Sequence, residues 1–363
     1  MAAVTYLSSN YDVFIGIDVD KKSFAFTVQD HNIMNRSKKI PSSPEQLYNY
    51  IRNNFDGQNV LCAYEAGPTG YHLYDYLTQK EQPCVMVSPA SVPKASNERV
   101  KNNRLDSNRI ARYLKSGELK PIRVPSEPYR ELRELMGIRH NYSNQSKIAK
   151  QRIKALVLFE HLGDPVGDED QRWSGAYIRH LKKLPCSSVI RSKLDMLLSD
   201  LDYAREQQLK VIKELKRFCV THAEIDSYRR YLQSIPGIGF ITSLAILARI
   251  GDPSNLTNVR EIGAFTGLVP REKSTGDTVH HGSITHLGNS ELRALLVEAS
   301  WVAIRRDAEL GQFYHRIKSR HHPQAAAKKA IVAVARKLTP RIYKVLKEQR
   351  TYEIRQSRGT VSS

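Results

Sequence analysis

The sequence of 363 residues predicts an α/β domain built on a mixed sheet, followed by a mainly all-α region. Two observations carry this expectation. Short β-branched apolar runs alternate with amphipathic stretches between residues 12 and 89, and apolar spacings of three and four residues dominate after a proline-bearing break near residue 121.

Residues 12 to 19, DVFIGIDV, form an apolar run ending in acid, and KKSFAFTVQD follows with the alternation of a second strand, a hairpin signature. SPEQLYNYIRNNF reads as a helix, NVLCAYEAG as a buried strand, TGYHLYDYLTQK as a helix and CVMVSP as a further strand. This order, β-β-α-β-α-β, predicts a mixed sheet. Residues 104 to 116, RLDSNRIARYLKS, add a helix with Leu105, Ile110 and Leu114 on one side. PIRVPSEP, from Pro121 to Pro128, breaks helices and marks a domain edge.

Helical stretches are expected at 127 to 162 and 188 to 222, separated by the polar loop around GDPVGDEDQRWSG. In the second, Leu194, Leu197, Leu201, Ala204, Gln208, Val211, Leu215 and Phe218 recur at spacings of three and four, the pattern of a coiled-coil seam. Such a seam serves either packing within its own domain or self-association, and only in the second case would Gln208 set the register. Residues 227 to 310 read as a compact unit punctuated by loops. Basic helices at 311 to 350 follow, with Lys328, Lys329, Arg336, Lys337, Arg341, Lys344 and Lys347. The expected domains are therefore 1–120, 121–225 and 226–350, with 351–363 as a disordered tail.

Lys and Arg outnumber Asp and Glu by 56 to 37, and a net charge of +19 attracts polyanions, nucleic acid first among them. No run of about 18 apolar residues exists to span a bilayer, and the first residues lack a secretory signal. The four cysteines (Cys62, Cys84, Cys186, Cys219) show no C-x-x-C pairing, which speaks against a zinc knuckle or a disulfide framework. A cytoplasmic, nucleoid-associated protein is expected, with no membrane partner.

Asp18 sits where the strand FIGID runs out, Glu65 at the end of VLCAYE, and Asp106 opens a helix. Carboxylates at the edge of a core are costly unless a cation compensates them, so three of them converging suggest a divalent metal, with magnesium suited to the oxygen ligands. One or two such ions could clamp the attacking and leaving oxygens of a phosphodiester. Taken singly, each acid has a plainer role open to it: Asp18 as the end of a strand, Glu65 as the partner of a lysine and Asp106 as the cap of its helix. Their joint placement along this order of elements is that of a ribonuclease-H-like fold.

Further on, SIPGIG at 234 to 239 follows the helix-hairpin-helix pattern, in which Gly237 and Gly239 let backbone N–H groups approach a phosphate. Ser274 and Thr275, followed by Gly276, place hydroxyls on a turn near Arg271, Lys273, His280 and His281. Either hydroxyl could attack phosphorus if its proton were removed and cations steadied the phosphate.

Together, GIDV, YEAGPTGY, VKNNRLDSNRIARYL, IPGIG, GLVPREKSTG, GSITHLGNSELR and EASWVAIRRD resemble the DEDD-type transposases of insertion sequences, the insertion-sequence one-ten family that includes the Piv/MooV invertases. The resemblance covers nearly the whole chain. It implies a RuvC-like domain, a coiled-coil linker and a transposase domain whose serine links covalently to DNA. Implied partners are donor and target DNA, a structured guide RNA, and copies of the chain in homodimers that assemble to a tetramer. Implied nucleic-acid contacts are Lys101, Arg104, Gly237, Gly239, Arg271, Lys273, His286, Asn289, Arg293, Lys328 and Lys329.

Two departures from the family pattern matter. The first position of its D-x-x-D pair is Asn103, which can offer magnesium a carbonyl oxygen but removes one negative charge; Asp20 is a candidate to compensate. Directly before the glycine, where the family has serine, stands Thr275, with Ser274 one place earlier. The expected enzyme is a DNA recombinase whose acids and nucleophile come from different domains. Its rivals are a Holliday-junction endonuclease using water and a catalytically silent nucleic-acid-binding relative.

Overall fold

The computed structural model describes residues 6–30, 36–92, 103–163, 173–275, 278–285 and 287–354. The chain divides into two compact units, Met1–Val124 and Pro125–Ser363, which part within the proline-bearing stretch. The expected carboxy-terminal domain and, from residue 125 on, the expected helical linker lie in the second unit.

The first unit is a six-stranded mixed sheet with helices on both faces. Its strands are β1 (Val13–Val19), β2 (Ser23–Asp30), β3 (Arg36–Pro41), β4 (Val60–Glu65), β5 (Cys84–Val87) and β6 (Pro121–Ile122). Their spatial order is β3-β2-β1-β4-β5-β6. β1 runs antiparallel to β2 and parallel to β4, with Ile17 opposite Tyr64. Two strands escape the sequence pattern. β3, RSKKIP, is an edge strand whose exposed, basic residues carry no apolar alternation, as befits an edge that must not recruit another chain. β6 is the two-residue start of the stretch read as a break, and it pairs Ile122 with Met86 and Pro121 with Val87.

Helices α1 (Pro44–Asn54) and α2 (His72–Gln79) cover one face. Ser43 caps α1 by accepting the Gln46 N–H at 3.2 Å, with Pro44 preset for the first turn. Their Leu47, Ile51, Leu73 and Leu77 bury Ile15, Ile17, Cys62 and Tyr64. On the opposite face lies α3 (Asn103–Lys115), whose Ile110 and Leu114 pack on Phe14, Leu61 and Ala63.

The second unit is mainly helical: α4 (Glu127–Phe159), α5 (Gly175–Lys183), α6 (Ser188–Thr221), α7 (Ala223–Gln233), α8 (Phe240–Ile250), α9 (Val259–Thr266), α10 (Ser290–Arg306), α11 (Ala308–Lys318) and α12 (Pro323–Glu348). A hairpin of β7 (Pro270–Thr275) and β8 (Thr278–Ile284) stands between α9 and α10. α12 runs through Pro340, which cannot donate to the Arg336 carbonyl. The Thr339 hydroxyl supplies that bond instead, at 2.9 Å, and keeps the helix whole.

The coiled-coil reading of α6 takes a specific form. Leu194 and Leu201 pack with Ile153 and Leu156 of α4 and Leu181 of α5, whereas Val211, Leu215 and Phe218 join Leu132 and Met136 of α4. Gln208 donates to the Tyr142 carbonyl of α4 at 3.1 Å. The buried seam residues thus pack inside the chain, and the Gln208 hydrogen bond joins α6 to α4 within it. Tyr352, within the expected tail of 351–363, is held in place: it donates its N–H to Ser234 Oγ at 2.7 Å and its hydroxyl to Asp307 at 2.8 Å. Residues 355–363 lie outside those described.

Candidate catalytic and nucleic-acid-binding sites

The pleat of β1 sends Phe14, Gly16 and Asp18 to the face that α3 covers and Ile15 and Ile17 to the other. On β4 the same alternation assigns Leu61, Ala63 and Glu65 to the α3 face. Because the strands are parallel and aligned at Ile17 and Tyr64, Asp18 and Glu65 come one step later, side by side at the carboxyl ends of neighbouring strands. Both are half-buried.

Gly16 sets the position of α3. A Cβ at this position would overlap the Ser107 carbonyl oxygen and the Ala111 amide, so the helix backbone lies directly on the strand. Around this contact the buried hydroxyls of Ser107 and Thr27 share a hydrogen bond of 2.9 Å, and Gln29 donates to Asn108 at 3.0 Å. Each such bond contributes about 1 kcal/mol, and leaving a buried partner unpaired costs about 1–3 kcal/mol. Ser107 meets Gly16 while Ile110 and Leu114 meet Phe14, so α3 runs against the direction of β1. Its first turn, with Asn103 and Asp106, therefore overhangs the strand ends that carry Asp18 and Glu65.

Asp106 lies 3.4 Å from Arg109, its neighbour one turn on. Among the described residues, no group of three or more His, Cys, Asp or Glu stands close enough to hold a metal ion. The donor chemistry nonetheless suits magnesium, which keeps several waters and binds through one or two carboxylates completed by substrate phosphate oxygens. The Asp18 and Glu65 pair meets that requirement. Asp20 is exposed in the turn after β1, where its carboxylate accepts the Lys21 N–H at 2.6 Å. The side chains of Asn103 and Arg104, and the whole of Lys101, lie outside the described residues.

In the second unit, α7 and α8 flank the turn at 234–239, where the sequence suggested a helix-hairpin-helix. Gly237 has φ +91°, and a Cβ there would overlap the Ala299 carbonyl oxygen of α10. Its glycine requirement is thus met by helix packing. Gly239, exposed at the amino-terminal cap of α8, is the part of the turn open to a phosphate. Ser274 and Thr275 belong to an ordered hairpin rather than to a loose loop, with Ser274 opposite Val279 and Thr275 opposite Thr278. Their side chains, those of Lys273, His280 and His281, and residues 276, 277 and 286 (His286) lie outside the described set.

Two further expected contacts hold the scaffold. Asn289 caps α10 by accepting the Leu292 N–H at 2.7 Å, and Arg293 donates to the Thr266 carbonyl at 3.0 Å. Arg271, Lys328 and Lys329 are exposed. Of the other expected α12 cations, Lys337 and Arg341 bond Glu309 and Asp307, and Lys347 bonds the Leu256 carbonyl. Sequence reasoning also passed over Lys147, Lys150 and Lys154 on α4. Their spacing of three and four in a stretch free of acids was the available signal.

A family model described as Transposase IS116/IS110/IS902 family matches residues 229–315, and a second, described as Transposase, matches residues 15–161. The chain is similar to the y4qE protein of Sinorhizobium fredii (strain NBRC 101917 / NGR234), at 28% identity over 80% of this chain and 71% of that protein. It is 26% identical to the transposase for insertion sequence element IS1328 of Yersinia enterocolitica, over 86% of this chain and 91% of the relative. Similarity to the pilin gene-inverting protein of Moraxella lacunata is also 26%, over 94% and 98%.

Proposed function

Because the chain belongs to the IS116/IS110/IS902 transposase family and so is an enzyme acting on DNA, we propose that it cleaves and exchanges DNA strands through a carboxylate-held magnesium site and a hydroxyl nucleophile. The placement of Asp18 and Glu65 at adjacent strand ends beneath α3 carries this reading. The strand order of the sheet supports a ribonuclease-H-like domain. Asp18, Glu65 and Asp106, with Asn103 in the weakened position, would hold one or two magnesium ions, which supply positive charge to a phosphate in transfer. Ser274 or Thr275 gives up its hydroxyl proton to a base, its oxygen bonds to phosphorus, and the bond from phosphorus to one deoxyribose oxygen breaks; that oxygen takes up a proton and leaves as a free strand end, while the phosphate of the other strand end stays esterified to the protein.

The family resemblance supports a structured guide RNA as partner, and the charge of +19 suits it. It also supports homodimers that assemble to tetramers. Sequencing the RNA that co-purifies with the protein tests the first point: one discrete structured transcript is expected, and random fragments would count against it.

The reaction is tested by trapping the full chain on a suicide substrate from the element end, in magnesium, and resolving denaturant-resistant adducts. An adduct is expected in the wild type and lost in one of Ser274→Ala and Thr275→Ala. Asp18→Asn and Glu65→Gln should lose it while still binding DNA, and Asn103→Asp should raise its yield. Cleavage without any adduct would instead identify a junction endonuclease that uses water. Binding without cleavage, even in Asn103→Asp, would identify a silent relative.

A further inference from the structure

Along α4 from Leu135 to Phe159 there is no acidic residue, whereas Arg139, Lys147, Lys150, Arg152 and Lys154 all fall there. Lys147, Lys150 and Lys154 recur at spacings of three and four, which sets them on one face over two turns, about 10 Å of helix. With Ser143, Gln151 and Trp173 they line a pocket of about 360 Å³ between α4, α6 and the segment that leads into α5. None of the described residues lining it is acidic.

The pocket is built rather than merely exposed. Arg205 of α6 donates to the Trp173 carbonyl at 2.8 Å, and the Trp173 ring meets Tyr177 edge-on with centroids 5.4 Å apart. Lys150 Nζ lies 5.9 Å from the centre of that ring. Burial, and then the charge of Arg205, hold the Lys150 ammonium below its ordinary range. The repulsion between Lys150 and Arg205 at this aromatic wall is relieved when an anion enters. Gln151 and Ser143 add neutral donors beside them. Lysines on successive turns suit an anion that repeats along its own axis, as a phosphodiester strand does, better than a single small ion.

We propose that this pocket of the α4–α6 helix pair is a nucleic-acid backbone site, in which Lys147, Lys150 and Lys154 neutralise successive phosphates of one strand. The inference rests on the reading of the chain as a nucleic-acid enzyme. It adds to the contacts implied by the family resemblance, none of which lies on α4.

The test is fluorescence anisotropy of the full chain with three labelled probes: a duplex DNA of 30 base pairs, a DNA single strand of 30 nucleotides and an RNA hairpin, the salt being varied from 50 to 200 mM. In the triple variant Lys147→Gln, Lys150→Gln, Lys154→Gln, the slope of log affinity against log salt should become shallower by about 2 to 3 on at least one probe. The probe affected identifies the strand held. A control with the same loss of charge, Lys193→Gln, Lys213→Gln, Lys216→Gln on α6, should leave that slope within about one unit of wild type, and matching thermal unfolding of both variants verifies the fold. An unchanged slope in the pocket variant, while wild type binds, overturns the site alone. A wild type that binds none of the probes overturns the nucleic-acid reading and the site with it.

Discussion

Gly16 is the residue on which the geometry of the first unit turns. Gly16→Ala must push a methyl group into two backbone atoms of α3 that have no free rotation by which to yield. Overpacking of this kind costs about 3 kcal/mol or somewhat more, so urea unfolding should show that loss. A variant as stable as wild type would show that α3 is free to lift from the strand. Tyr352 carries a prediction of different sign. Burial, together with its hydrogen bond to Asp307, pushes the phenol up from about 10 to about 12. The folded protein thus favours the protonated form. The resulting stabilisation is whole below about pH 10 and is lost as pH rises through about 12. Comparing wild type with Tyr352→Phe over this range should give a difference of about 1 kcal/mol at neutral pH that vanishes on the alkaline side. A difference independent of pH would refute the assignment.

At the scale of elements, the α4–α6 pair places the apolar seam of α6 inside the molecule. Leu201 is fully buried there, and Leu201→Ala should cost about 2–5 kcal/mol in denaturant unfolding. Sedimentation should show self-association unaltered; dissociation at unchanged stability would return the seam to a role between copies. Elements with strong periodicity were legible in the sequence: the helix expected at 188 to 222 spans Ser188–Thr221, and the strand in DVFIGIDV spans Val13–Val19. The hairpin of β7 and β8 was read as a loop because REKST and TVHHGSI are polar and carry no core face, although two residues, Gly-Asp, separate β-branched runs as a tight connection does. The strand-end positions of Asp18 and Glu65 were legible because each closes an apolar run. The structural tasks of Gly237 and Arg293 were not, since each depends on a helix far away in sequence.

Across the whole molecule, the excess of 19 positive charges makes ionic strength a direct probe of how many phosphates are held. If 6–10 phosphates are contacted, affinity for duplex DNA should fall by about 10³ to 10⁵ between 50 and 200 mM salt. A fall below tenfold would mean that the charge is spent on solubility instead. Each unit has its own core, and no described helix is long and apolar enough to cross a membrane. The parallel alignment of β1 with β4 also limits how such a chain can drift in length over generations. One amino acid inserted between Val13 and Asp18 would rotate the carboxylate to the side facing α1 and α2, away from Glu65. Insertions and deletions that survive selection should therefore collect in the connections between strands, and the five residues from Val13 to Ile17 should keep their number however freely their identities change.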